Sequence, residues 1–227
     1  MPVHLVRFEP AGFHPGYFMA AGLACPPEIA RSAPRRQAEF FFGRVAARAA
    51  LRALDAPTST IPIGLGRQPV WPDGVVGSIS HTATLAAAIV GARSTYAGLG
   101  IDVERVATAQ NEDALRSVAL DAEEVAILRT HAGPKPLCEL VTLAFSAKES
   151  LYKCAFESVG RFFDFRSARV CALNPGTIEL TLEEHLGPRF PRGRRFCIAF
   201  HRLDVATLMT VCEDRREGLD AAEITPL

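Results

Sequence analysis

The chain has 227 residues, is 48% hydrophobic and balances 25 basic against 25 acidic side chains, so its formal net charge is zero. That is enough apolar material for one large domain or two small lobes, and the neutral balance argues against a general nucleic-acid or membrane-surface binder. No apolar run approaches the ~20 residues of a membrane span, MPVHLVRFEP at the N-terminus lacks a signal-peptide layout, and none of the six cysteines forms a C-x-x-C pair; a soluble, reduced, cytoplasmic protein is expected.

Residues 1–34 are rich in Pro and Gly and read as loops and short strands. Residues 35–54 read as a helix, stopped by Asp55-Ala56-Pro57. Arg44, Arg48 and Arg52 recur every four residues and so line one face of it; Glu39 is the sole acid among the surrounding arginines. Residues 56–74 form a loop punctuated by Pro57, Pro62, Pro69 and Pro72. Three strands are expected over 75–80, 85–90 and 96–104, the last two joined by a turn at 91–94. The polar stretch 105–134 is helical in part, with Asp121 and Glu124 spaced as a capping box. A long helix follows over 137–159. Strands are then expected over 169–173, 177–182, 195–201 and 207–212, with Asn174-Pro175-Gly176 as a hairpin turn. Cys171, Cys197 and Cys212 lie in apolar runs and read as small core residues. The fold class is α+β: two pseudo-symmetric lobes, 1–105 and 106–227, with the site at their seam.

Four stretches carry chemistry. In Gly98-Leu99-Gly100-Ile101-Asp102-Val103-Glu104, residues two apart share a face of a strand, so Asp102 and Glu104 point the same way while Val103 turns into the core. Two carboxylates on one face repel unless a cation or a proton lies between them, and a hard cation such as Mg²⁺ takes oxygen ligands of this kind. The plainer alternative is a strand end running into a solvated acidic turn.

In Phe145-Ser146-Ala147-Lys148-Glu149-Ser150-Leu151-Tyr152-Lys153, Glu149 and Lys153 stand one helical turn apart. This is either an exposed ion pair or, half-buried among bulky neighbours, the cation-and-carboxylate group that phosphoryl transfer needs. His81, in Gly77-Ser78-Ile79-Ser80-His81-Thr82, is either a structural histidine or a phosphate donor. Arg36 and Arg44 are either solvated or hold a terminal phosphate, for which the guanidinium fork is suited. Neither a Walker loop nor the Rossmann glycine fingerprint occurs.

Together these motifs resemble the 4′-phosphopantetheinyl transferases of the surfactin- and enterobactin-synthetase type. The matching residues are Trp71-Pro72-Asp73-Gly74, the Gly77–Thr82 stretch, Gly100–Glu104 and Phe145–Lys153. Trp71–Gly74 and the preceding arginine helix are most similar to the enterobactin synthase component D branch.

The resemblance implies coenzyme A as co-substrate, Mg²⁺ (with Mn²⁺ possible by ligand type) and an apo acyl- or peptidyl-carrier protein as partner. The phosphopantetheine arm would go to a carrier serine, with adenosine 3′,5′-bisphosphate as by-product. Asp102, Glu104 and Glu149 would hold the metal. Glu149 or Lys148 would help deprotonate the serine. Lys153, with Lys148, would steady the pyrophosphate. Arg36, Arg44, Arg67 and His81 would hold phosphate, and Ser80 would add a backbone contact. A monomer that needs neither nucleic acid nor membrane is expected.

Rival readings are a metal-dependent phosphohydrolase using the same carboxylates, and a non-catalytic module that binds coenzyme A or a carrier protein. Arg189, Arg192, Arg194 and Arg195 would be available to steer an acidic carrier.

Overall fold

The computed structural model describes residues 1–58, 60–131 and 135–216. Its elements are β1 (His4–Arg7), α1 (Gly16–Ala20), α2 (Pro27–Ala30), α3 (Pro34–Ala53), β2 (Val75–His81), β3 (Leu85–Ala92), β4 (Tyr96–Arg105), α4 (Ala109–Ala119), α5 (Ala122–His131), α6 (Leu137–Val159), β5 (Ala168–Asn174), β6 (Thr177–Leu182), β7 (Arg195–Asp204) and β8 (Thr207–Arg215). The α+β reading holds.

Two antiparallel sheets organise the chain, one of three strands in the order β1-β3-β2 and one of five in the order β4-β8-β7-β6-β5. Helix α3 starts on Pro34, where a preset φ and a missing N–H cost nothing. Its small residues Ala38, Ala46, Ala47 and Ala50 let it lie close on the first sheet, while Phe40 and Phe41 turn to Phe18 and Ile29 of the short N-terminal helices. Helix α6 covers the second sheet through Leu140, Leu143, Ala144, Ala147 and Leu151. It ends at Gly160, whose φ of 66° makes the left-handed cap that glycine adopts without a Cβ clash.

Sheet membership differs from the grouping of strands by sequence order. The strand up to residue 104 was grouped with the first lobe, yet β4 hydrogen-bonds to β8 along its length. A third apolar cluster seals the seam: Val76 and Ile89 of the first sheet meet Leu99, Ile101, Val103, Met209 and Val211 of the second. The lobes share a plan of helix then strands but not a strand count. Among the cysteines expected in the core, Cys212 is buried, Cys171 is half-buried and Cys197 is exposed.

Alternation along β4 explains its glycines. Leu99, Ile101 and Val103 face the seam, so Gly98, Gly100, Asp102 and Glu104 face the other way, toward α6. A Cβ on Gly100 would stand 1.8 Å from the Ser150 carbonyl oxygen, and one on Gly98 would stand 2.1 Å from that of Cys154. Only glycine lets the helix backbone rest on the strand backbone here. That contact carries α6 past Asp102 and Glu104.

Candidate active site

Lys153 of α6 donates to Asp102 Oδ1 at 2.6 Å and to Ser80 Oγ at 3.1 Å. Ser80 in turn donates to the same Asp102 oxygen at 2.9 Å and accepts from the Val103 N–H at 3.3 Å. Asp102 is buried, and its second oxygen, Oδ2, has no hydrogen-bond partner. A buried carboxylate oxygen left unpaired is costly.

Its neighbours register the same excess of negative charge. Burial, then Asp102 and Glu149, push the Glu104 carboxyl up to about 7 against the pull of Lys153. Burial also raises Glu149, opposed by Lys153 and reinforced by Asp102. Three carboxylates thus share one lysine. No three His, Cys, Asp or Glu side chains among the described residues are already arranged as a metal cage. The donor set nevertheless fits a hard cation, because it combines an orphaned buried oxygen with two carboxyls short of positive charge.

Two clefts flank this cluster. One, of about 350 Å³, runs along α6 and is lined by Arg67, Trp71, Glu149, Tyr152, Lys153 and Phe156. Trp71 is fixed in its wall by donating from Nε1 to the Gly77 carbonyl at 2.9 Å. The other, of about 550 Å³, is lined by Arg36, Glu39, Arg44, Arg67 and His81. Arg67, Pro69 and Ile79 belong to both walls, so the clefts adjoin.

In the second cleft Arg36 Nη1 donates to His81 Nε2 at 2.8 Å. Arginine only donates, so Nε2 accepts and the ring proton sits on Nδ1, which faces Glu39 at 3.8 Å. Burial lowers the His81 pKa; Glu39 opposes that shift and Arg36 adds to it. Arg44 stacks 4.3 Å over the Phe40 ring and donates to the Ile61 carbonyl at 2.8 Å. Burial brings its guanidinium down to about 10, which still leaves it charged at neutral pH.

Residues 26–91 match the model of the 4′-phosphopantetheinyl transferase N-terminal domain, and residues 98–203 match that of the 4′-phosphopantetheinyl transferase superfamily. Enterobactin synthase component D of Salmonella typhi is 36% identical over 189 residues, covering 83% of this chain and 74% of that protein. The 4′-phosphopantetheinyl transferase PptT of Mycobacterium tuberculosis is 36% identical over 167 residues, covering 72% of each. The chain belongs to the 4′-phosphopantetheinyl transferase superfamily.

In this transferase the gap between the matched segments coincides with the turn between β3 and β4, where sheet membership also changes. Asp102, Glu104, Glu149 and Lys153 gather at one place, and Arg36, Arg44, Arg67 and His81 at the adjoining one. Two candidates are placed differently from the rest. Ser80 lines neither cleft, and its hydroxyl serves Asp102. Lys148 faces away from the carboxylates: its ammonium pairs with Glu124 at 2.7 Å and donates to the Ala119 carbonyl at 2.7 Å. One residue along a helix is a turn of about 100°, which separates Lys148 from Glu149.

Of the arginines suggested for carrier steering, Arg189 and Arg194 bind the fully buried carboxylate of Asp214. The sequence reading also left two functional neighbours without a role. Glu39 holds Arg35, Arg36 and His81 together, and its solitude among arginines was the available signal. Glu124 caps α5 as its spacing from Asp121 predicts, and it also pairs with Lys148.

Proposed function

We propose that this chain transfers the 4′-phosphopantetheine arm of coenzyme A to a serine of an apo acyl- or peptidyl-carrier protein, releasing adenosine 3′,5′-bisphosphate. The observation that carries the reading is the adjacency of a carboxylate-lysine cluster and a cationic cleft, joined through Arg67. Arg36, Arg44, Arg67 and His81 hold the phosphorylated adenosine end by charge and hydrogen bonding. Lys153 sets its ammonium against the pyrophosphate and the charge that develops on the departing bisphosphate.

Asp102, Glu104 and Glu149 would hold Mg²⁺ or Mn²⁺, which would supply further neutralisation of phosphate charge. The serine oxygen bonds to the phosphorus bearing the arm, and that phosphorus parts from the bridging oxygen. The electron pair leaves with the bisphosphate. The serine proton passes to Glu149, the carboxylate that lines the cleft beside Lys153. We take the enzyme to work as a cytoplasmic monomer without nucleic acid or membrane. The zero net charge gives no general pull toward nucleic acid or an anionic surface. No helix among the described residues is long and apolar enough to cross a membrane.

The test is the intact mass of an apo carrier protein after incubation with the enzyme, coenzyme A and Mg²⁺, with a chelator control. A metal-dependent gain of one phosphopantetheine is expected. Glu149→Gln should cut the rate by about 10²–10⁴-fold with an unchanged melting curve. Coenzyme A broken down without any gain in carrier mass would replace this reading with a phosphohydrolase.

A further inference from the structure

Glu149 makes no side-chain hydrogen bond with any described residue. With no such bond to hold its carboxylate in place, the rotation of α6 decides which way the side chain leaves the helix, and the charges of Lys153 and Asp102 act on it from there. One side of that helix rests on Gly98 and Gly100 of β4. About 100° round from Glu149, and on the side away from β4, Lys148 makes the helix's one buried ion pair among the described residues. The Lys148 and Glu124 side chains are only 2% and 5% exposed, so no phosphate of a substrate reaches either.

Every oxygen in this knot is used. Glu124 Oε1 accepts from Lys148 and from the Val170 N–H at 2.8 Å, and Oε2 accepts from the Asp121 N–H at 2.9 Å. The Ala119 carbonyl that takes the second Lys148 bond is at the C-terminal end of α4, where a cation is favoured. The last residue of α4 therefore meets the ammonium of α6 directly, and the cap of α5 and the start of β5 meet it through the Glu124 carboxylate.

We infer that Lys148 is a positioning residue for the transfer reaction: through Glu124 it fixes the rotation of α6 and so aims Glu149 at Asp102 and Glu104. The inference rests on the role given to Glu149 above. It removes Lys148 from the candidates for base and pyrophosphate contact. It also makes Glu124, 24 positions before Lys148 in sequence, part of the same device.

A double-mutant cycle over Lys148→Met and Glu124→Gln tests this, read in three ways: melting temperature, Mn²⁺ affinity by titration without a carrier, and transfer kinetics. Outer-sphere supports of a metal ligand typically cost about 10–100-fold when removed, and that loss is expected in Mn²⁺ affinity and in kcat for each single variant. The KM for coenzyme A should change little, because the cationic cleft is untouched. Partners acting through one contact are non-additive, so the double variant should lose no more than the worse single. The isosteric Glu124→Gln keeps the cycle readable if Lys148→Met folds poorly.

Losses that multiply would overturn the inference, since Lys148 would then act on the reactants independently of Glu124. So would a Lys148→Met enzyme with wild-type kcat and Mn²⁺ affinity. Should the wild type transfer nothing to any carrier, the transferase reading falls, and the Mn²⁺ cycle still decides the positioning role.

Discussion

Two lysines five positions apart on one helix each pair with a buried carboxylate, and they end in opposite circumstances. Lys148 and Glu124 are sealed, with both Glu124 oxygens bonded. Lys153 is one-quarter exposed to a cleft, and its partner Asp102 keeps one oxygen unpaired. A buried polar group that is fully satisfied holds elements together. One left incomplete costs stability, and that cost is tolerated where a ligand or a reaction completes it. The lysines look equivalent in the sequence; what separates them is whether the carboxylate they meet still lacks a partner.

That contrast can be broken most severely at the sealed pair. Glu124→Ala strands an ammonium and two backbone N–H groups in the interior, and should cost about 3–5 kcal/mol of stability, measured by denaturant unfolding. Asp102→Asn sits at the open pair and should behave differently. Its effect should fall on transfer, by about 10–100-fold, with a smaller loss of stability than at the sealed pair, because Lys153 keeps access to water and Asp102 Oδ2 had no partner to lose. Equal stability losses from the two substitutions would erase the distinction.

The glycine contact on the other flank of α6 gives a smaller effect. Gly100→Ala forces a Cβ to within 1.8 Å of the Ser150 carbonyl and should cost about 1–3 kcal/mol. Gly12→Ala, with nothing within 4 Å of the new Cβ, is the control.

The smallest effect concerns pH. Glu104 is pushed up to about 7 from an ordinary 4.5, chiefly by burial and then by Asp102. The folded chain therefore binds its proton more tightly than the unfolded chain does. The contribution to stability is complete below about 4.5 and is lost as pH rises through about 7. The melting temperature of the metal-free protein should fall over that interval, and Glu104→Gln should flatten the slope.

Much of the architecture could be read from pattern. The three strands after residue 74, the helix over 137–159, the Asp121–Glu124 cap and the turn at Asn174–Gly176 carry their own local signals, and they stand where expected. The partner of β4 carried no such signal. Its strand pairs with β8, roughly a hundred positions later, as with Ile101 opposite Val211, and antiparallel registry over that distance leaves no mark in a short window.

The site was legible in type but not in direction. The spacing of Lys148, Glu149 and Lys153 declares three charges on a helix. Which of them faces β4 and which faces α4 and α5 depends on how elements outside the motif pack against it. The resemblance gives Ser80 a backbone contact; that its hydroxyl also serves Asp102 depends on a strand more than twenty residues later, which no local pattern announces.

That same hydroxyl bears on how the two sheets meet. Strand β2 lies at the end of one sheet and β4 at the end of the other, and a sheet edge leaves backbone groups without a ladder partner unless another element covers it. Ser80 Oγ takes up the Val103 N–H, so one backbone donor on the rim of β4 is already engaged from the facing rim. The polar groups gathered around Asp102 thus also tie the rims of the two sheets together where both are buried.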